Sequence, residues 1–457
     1  LLNMMIGKMN IIVDLSSDRK YSLTEDSKNI VRNLKDNVAV YFMVQDGNDE
    51  QGIKDIMDKV LDQYASIGSK IKVETRDYVK LPNFATQYTD ETITDYDVIV
   101  VNETNNKAKH VPIANMLPTE MDYNTMTQTQ NTLDVEGQIT AAIQSITSAE
   151  AKTIYVTKGH GNNEGILSAS MTDLLTKSNY LIESTRTDGN AGIPDDCDIL
   201  LMTGMSSDLN ELDVPKILEY LENGGKAMIF LNPGMEESNM PNLNQLLNQY
   251  GIKINPGYVY ETGDRYLNDP SFITGMVNSH DITSEITADT ITPFIRSKGL
   301  TITSEVRSTL TAEPVYSSSD ESFSNAEINP IGGEEKEAGD IDGPFTLVAA
   351  VTDEFKDKKT QLIVYGTDQF ANTFIEGAEI DFVKEETFGN RSIIQKSVEW
   401  LSGQDSSLLV IPSRSLTSPT VDVPSDSRNM ISALLIGVLP ISILGFGFFI
   451  WYRRRKS

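Results

Sequence analysis

Four short stretches of small and polar residues follow buried apolar runs between residues 151 and 370. They are Gly159-His160-Gly161, Thr203-Gly204-Met205-Ser206, Asn232-Pro233-Gly234 and Gly366-Thr367-Asp368. Glycines at such places let a ligand approach the backbone, and His160, Thr203, Asn232 and Asp368 would add side-chain donors and acceptors. The same residue types serve any strand-to-helix turn, so a ligand pocket and plain turn chemistry are both open readings. Nucleophilic catalysis asks for more. No Gly-x-Ser-x-Gly elbow occurs, and the single cysteine, Cys197, precedes its strand instead of following it. The sequence therefore predicts no catalytic residue and a non-enzymatic chain.

Other chemistries fare no better. Asn223-Gly224-Gly225-Lys226-Ala227 lacks the first glycine of a phosphate loop and the Ser or Thr that would hold magnesium, and it leads into a strand, so it reads as a helix cap. Asp46-Gly47-Asn48-Asp49-Glu50 and Asp340-Ile341-Asp342-Gly343 do not complete a twelve-residue calcium loop and read as solvated acidic loops. Three histidines and one cysteine leave a transition metal few ligands, so neither metal nor cofactor is expected. One cysteine also excludes an internal disulfide, which suits a bacterial envelope protein. A formal charge of −28 argues against nucleic acid as a partner.

The elements that would position the four stretches follow from periodicity. Thr24 caps a helix bearing Ile30, Val31 and Leu34, and Val38 to Val44 is a continuous apolar strand. Ile53, Ile56, Met57, Val60, Leu61 and Tyr64 share one helix face, and Ile71–Thr75, Asp97–Val101 and a helix through Val135 to Ile146 complete a first unit. That order is compatible with a thioredoxin-like layer, although the missing Cys-x-x-Cys excludes thiol redox chemistry. A second unit alternates strand and helix from Thr153 to Leu231, which predicts a mainly parallel sheet covered on both faces. The expected organisation is an N-terminal α/β domain over 21–150, a second α/β domain over 151–405 with an insertion around 256–344, and a stalk over 406–429.

Residues 430–452 carry no charge, and a helix of that length rises about 35 Å at about 1.5 Å per residue, enough to span a bilayer. Met430 opens the stretch, Trp451 and Tyr452 sit where an interfacial belt would lie, and Arg453, Arg454 and Arg455 with Lys456 follow directly. This pattern predicts a C-terminal membrane anchor with a cytoplasmic tail over 453–457 and the acidic bulk outside the cell membrane. The apolar start, Leu1-Leu2-Asn3-Met4-Met5-Ile6, reads as the remnant of an N-terminal anchor, with a linker to residue 20.

Several of these features together resemble the gliding-motility-type (GldG-like) ABC transporter auxiliary family. They are the run Asp14 to Thr24, the strand Val38 to Val44, Leu61-Asp62-Gln63-Tyr64, Gly159-His160-Gly161-Asn162, Gly224-Gly225-Lys226, and Gly389-Asn390 ahead of Val398-Glu399-Trp400-Leu401, with the C-terminal apolar stretch. The resemblance implies a second domain built on a glutamine-amidotransferase-like or flavodoxin-like sheet without the catalytic cysteine. It also implies separate ABC permease and ATPase subunits as partners at a membrane. A cell-surface module binding a glycan or peptide is the alternative left open.

Overall fold

The computed structural model describes residues 21–47, 52–118, 120–122, 127–129, 132–148, 151–161, 167–187, 192–304, 306–325, 335–375, 378–384, 387–403 and 410–416, with Pro440, Trp451 and Arg455. The expected N-terminal remnant, the expected stalk over 406–429 apart from 410–416, and most of the expected anchor and tail lie outside the described residues. The chain falls into two compact units, Leu1–Pro118 with Asp134–Ser413, and Thr119–Leu133 with Arg414–Ser457. In the smaller unit, Glu120–Asp122 pairs with Thr127–Thr129 and Thr132–Leu133 pairs with Arg414–Ser415, both antiparallel.

The large unit begins with α1 (Glu25–Arg32), whose Thr24 N-cap accepts from the Ser27 N–H. A four-stranded sheet follows. It is built from β1 (Val38–Met43), β2 (Ile71–Arg76), β3 (Val98–Asn102) and β4 (Ala108–Val111) in the order β2-β1-β3-β4. The β1–β2 pair is parallel and the other two pairs antiparallel, with Val40 opposite both Val73 and Val100. α2 (Ile53–Ile67) links β1 to β2, and its buried face is Met57, Val60, Leu61 and Tyr64. α3 (Val135–Thr147) covers the same sheet, and the Tyr64 hydroxyl bonds Thr140 Oγ1 at 2.6 Å between the two helices. At the outer end of the sheet His110 bonds Asp97 at 3.0 Å and Glu91 at 2.7 Å, and the Asp97 bond is the main force raising the imidazole's pKa.

The second sheet has ten strands. Five are parallel: β5 (Lys152–Lys158), β6 (Tyr180–Arg186), β7 (Ile199–Met202), β8 (Lys226–Phe230) and β14 (Lys358–Tyr365). The others are antiparallel: β9 (Ile252–Ile254), β10 (Met276–Val277), β11 (Leu300–Ile302), β12 (Leu310–Ser317) and β13 (Thr346–Phe355). The order is β9-β11-β13-β14-β8-β7-β5-β6, with β12 paired to β13 and β10 to β12. α4 (Ala169–Lys177) and α7 (Asn390–Ser402) cover one face, packing on Ile154, Val156, Leu201 and Phe230. α5 (Asp213–Glu222) and α6 (Pro241–Gln249) cover the other, packing on Leu200, Met202, Ala227 and Ile229. Strands buried on both faces explain why these segments read as unbroken apolar runs.

Two expectations about fold class are corrected. The architecture is mixed α/β with several sheets, and half of the large sheet is antiparallel, because the stretch read as an insertion supplies sheet strands of its own. In addition, among the described residues no helix is long and apolar enough to cross a membrane. The longest, α2 with 15 residues, rises only about 22 Å and carries Asp55, Lys59 and Asp62 on its outer face.

The two sheets share one unit, and a buried polar cluster joins α3 to α4. Lys177 Nζ lies 2.6 Å from Asp134 Oδ2 and 2.6 Å from Asp173 Oδ2, and its side chain is 3% exposed. The Gln138 amide donates to both carboxylates.

Candidate functional site

The parallel strands reverse their direction of winding between β5 and β7. From β5 the chain crosses by α4 on one face to β6; from β7 it crosses by α5 on the other face to β8. Ligand sites of open α/β sheets lie in the crevice this reversal creates, at the carboxyl ends of the strands. Gly159-His160-Gly161 and Thr203-Gly204-Met205 occupy that place.

Their backbones close on each other. The N–H groups of Ser206 and Ser207 both donate to His160 O, at 2.9 and 2.8 Å. Gly161 has φ +136, and a Cβ there would stand 1.9 Å from Ser206 Oγ and 2.7 Å from Ser206 N. Only glycine fits this approach. Gly161→Ala is expected to cost about 2 kcal/mol of unfolding stability and to speed hydrogen exchange at the Ser206 and Ser207 amides. Unchanged exchange at those two amides would show that the loops are not held this way.

His160 is 1% exposed. Its Nε2 bonds Thr187 Oγ1 at 2.8 Å and lies 3.7 Å from Asp213 Oδ2, at the start of α5. Asp213 is fully buried, and its Oδ2 accepts from the Asn210 N–H at 3.0 Å. Lys216 Nζ donates to Thr187 O at 2.7 Å, which ties the segment after β6 to α5. His160 Nδ1 and Thr157 Oγ1 have no hydrogen-bond partner among the described residues. The structure thus brings together Gly159, His160, Gly161, Thr203 and Gly204, and adds Thr157, Thr187, Asp213 and Lys216.

Asn232 joins the group from the next strand. Its amide donates to Met205 O at 2.9 Å and its Oδ1 accepts from the Gly234 N–H at 2.8 Å. Asp368 stands apart. It follows β14, and its carboxyl, pushed up to about 7 by burial, makes no bond to the other three stretches. In the same stretch Gly366 O accepts from the Lys298 backbone N–H at 2.8 Å. The Lys298 side chain is fully buried and its Nζ has no hydrogen-bond partner among the described residues. Burial lowers this amine to about 8, opposed weakly by Glu236 and Glu237. The arrangement can hold loops together by hydrogen bonds, with the buried imidazole joining the Thr187 hydroxyl to the start of α5.

Two open clefts lie elsewhere. One, of about 320 Å³, is at the amino ends of the strands beside Glu222, Asn223 and Phe355. The other, of about 580 Å³, is bordered by Arg265, Met276, Asn278 and Glu321. Neither is lined by the four strand-end stretches. Among the anchor residues, Met430, Tyr452, Arg453 and Arg454 lie outside the described residues, and the Arg455 guanidinium stands 5.3 Å from the Trp451 ring.

What the fold and the strand ends define is an α/β protein whose switch-point crevice is closed by its own loops. Residues 151–396 match the family described as an ABC-type uncharacterized transport system, and the chain belongs to that family as an auxiliary component of such a system. Residues 17–116 match a domain of unknown function. No curated protein matches. Among solved structures, the N-terminal domain of mmIFT52 is 18% identical with a TM-score of 0.40, covering 56% of this chain and 99% of that one. A ThuA-like protein from Bacteroides uniformis is 12% identical with a TM-score of 0.30, covering 57% and 96%. A cytoplasmic protein from Salmonella typhimurium is 12% identical with a TM-score of 0.32, covering 54% and 98%.

Proposed function

We propose that this chain is a non-enzymatic subunit whose α/β body stands outside the cytoplasm and engages the separate permease and ATPase chains of an ABC-type transport system, or their cargo. The observation that carries the reading is the family match over residues 151–396. The closed crevice supports it, because the one strand-end histidine, His160, is committed to Thr187 and Asp213. The sequence likewise supplies no phosphate loop with which this chain would hydrolyse nucleotide itself. Affinity purification of the tagged full chain from detergent-solubilised membranes of its source, followed by mass spectrometry, tests this. An ATPase and permease pair in the eluate is the expected result, and repeated recovery of the chain alone would sink the reading.

A surface module for a glycan or peptide is the second reading, and the cleft of about 580 Å³ is what favours it. If its site were the strand ends instead, binding would be saturable and lost on His160→Ala.

A further inference from the structure

The carboxyl ends of the parallel strands diverge a second time. From β8 the chain runs through residues 231–240 to α6 on one face of the sheet, whereas from β14, its parallel neighbour, it runs on to α7 at the other face. Adjacent strands whose chains leave to opposite faces open the kind of crevice in which ligands of α/β sheets bind. The crevice at His160 is closed by bonds between its own loops. This second one holds a charge without a partner.

That charge is Lys298. Its backbone N–H donates to Gly366 O directly after β14, and the carbonyls on either side of it, Ser297 O and Gly299 O, accept from the Val259 and Asn255 N–H groups, all at 2.8 Å. The main chain is therefore fixed from both sides. The side chain is fully buried, yet Nζ has no hydrogen-bond partner among the described residues. The carboxylates that act on the amine, Glu236 and Glu237, stand on the loop after β8. Neither bonds it: Glu236 is exposed, and Glu237 Oε1 accepts instead from the Asn244 side-chain amide at 3.0 Å. A buried polar group left open in this way points to a missing partner. Water would solvate the ammonium without neutralising it, whereas an anion supplies both acceptor and opposite charge.

We propose that the crevice between β8 and β14 binds the carboxylate or phosphate group of a small ligand, with Lys298 Nζ as its cation and the loop after β8 as the flap that admits it. Gly234 and Glu236 put that loop at the surface. Glu236 and Glu237 are the charges an incoming anion meets, so they hold its affinity down and favour release. The site goes beyond the subunit reading and does not depend on it.

Isothermal titration calorimetry of the full chain with inorganic phosphate and, separately, with acetate provides the test, at pH 7 and constant ionic strength set with chloride. Single-site binding of at least one probe is expected, and which of the two binds names the group. Lys298→Met should weaken it at least about tenfold; methionine keeps the aliphatic stem, and thermal unfolding of the variant separates lost binding from lost folding. Lys253→Met removes the same charge from an exposed position on β9, and it should change binding less than about twofold. Glu236→Gln/Glu237→Gln should tighten binding about threefold. No heat from either probe, undiminished binding by folded Lys298→Met, or an equal loss in Lys253→Met would each overturn the proposal. Recovery of the ATPase and permease pair is a separate measurement, and its outcome is unaffected by failure here.

Discussion

Replacing Lys177 with methionine is expected to lower unfolding stability by about 3 kcal/mol at pH 7.5 and by much less at pH 5. The ammonium is 3% exposed and stands 2.6 Å from both Asp134 and Asp173. Asp173 is half-exposed and turns to water when the cation is gone, but Asp134 has no such escape. Burial already raises the Asp134 carboxyl to about 6, with Lys177 opposing that rise. A carboxylate whose folded pKa exceeds its unfolded value of about 3.9 favours folding at low pH, and that contribution is lost as pH climbs through the folded value. Removing Lys177 moves the folded value higher, so the deficit grows as pH rises past about 6 and is largely relieved at pH 5, where Asp134 is neutral in both proteins. Denaturant unfolding of both proteins at the two pH values measures this. An equal deficit at both would mean that methionine is simply a poor fit between α3 and α4.

Lys177 also marks where sequence reading stops. It ends a helix whose apolar positions, Met171, Leu174 and Leu175, were legible because they repeat on one face. Nothing in that repeat shows that its last lysine turns inward to a carboxylate more than forty positions away. β1 and β3 were equally legible, since every position in them is buried and all but Asn102 are apolar. β6 was not. It is an edge strand in which Leu181 is 50% exposed and Glu183, Ser184 and Arg186 face solvent, so its composition resembles a loop. β12 escaped notice for another reason: Pro314 and a register shift at Pro314 to Tyr316 break the alternation that would have revealed it.

The candidate site divides along the same line. Gly159, Gly161 and Gly204 could be read as loop glycines, and all three have positive φ. The partners of His160 could not. Thr187 follows β6, the strand that sequence missed, and Asp213 reads as an ordinary acidic residue at a helix start. Local pattern reports which face a residue takes, whereas hydrogen bonds between segments depend on sheet order, which local pattern does not encode.

Lys298 is the far case, a lysine in the polar run Arg296-Ser297-Lys298-Gly299 that any sequence reading leaves on the surface, yet its side chain is fully buried with no partner for Nζ among the described residues. Lys298→Met is therefore expected to stabilise the protein by about 2 kcal/mol at pH 7, because the aliphatic stem is kept and the desolvated charge is removed. Burial holds the amine at about 8, below the unfolded value of about 10.4. A folded state that binds fewer protons than the unfolded one gains stability as pH rises, here between about 8 and about 10. The shift corresponds to about 3 kcal/mol of penalty that is fully present below pH 8 and fades above it. The variant should therefore lead the parent clearly at pH 7, with the gap narrowing towards pH 10. Chemical denaturation across that range decides the matter. A destabilised variant at pH 7 would show that the amine is held by an interaction methionine cannot replace, and would place Lys298 among the residues the loop after β8 needs in order to close.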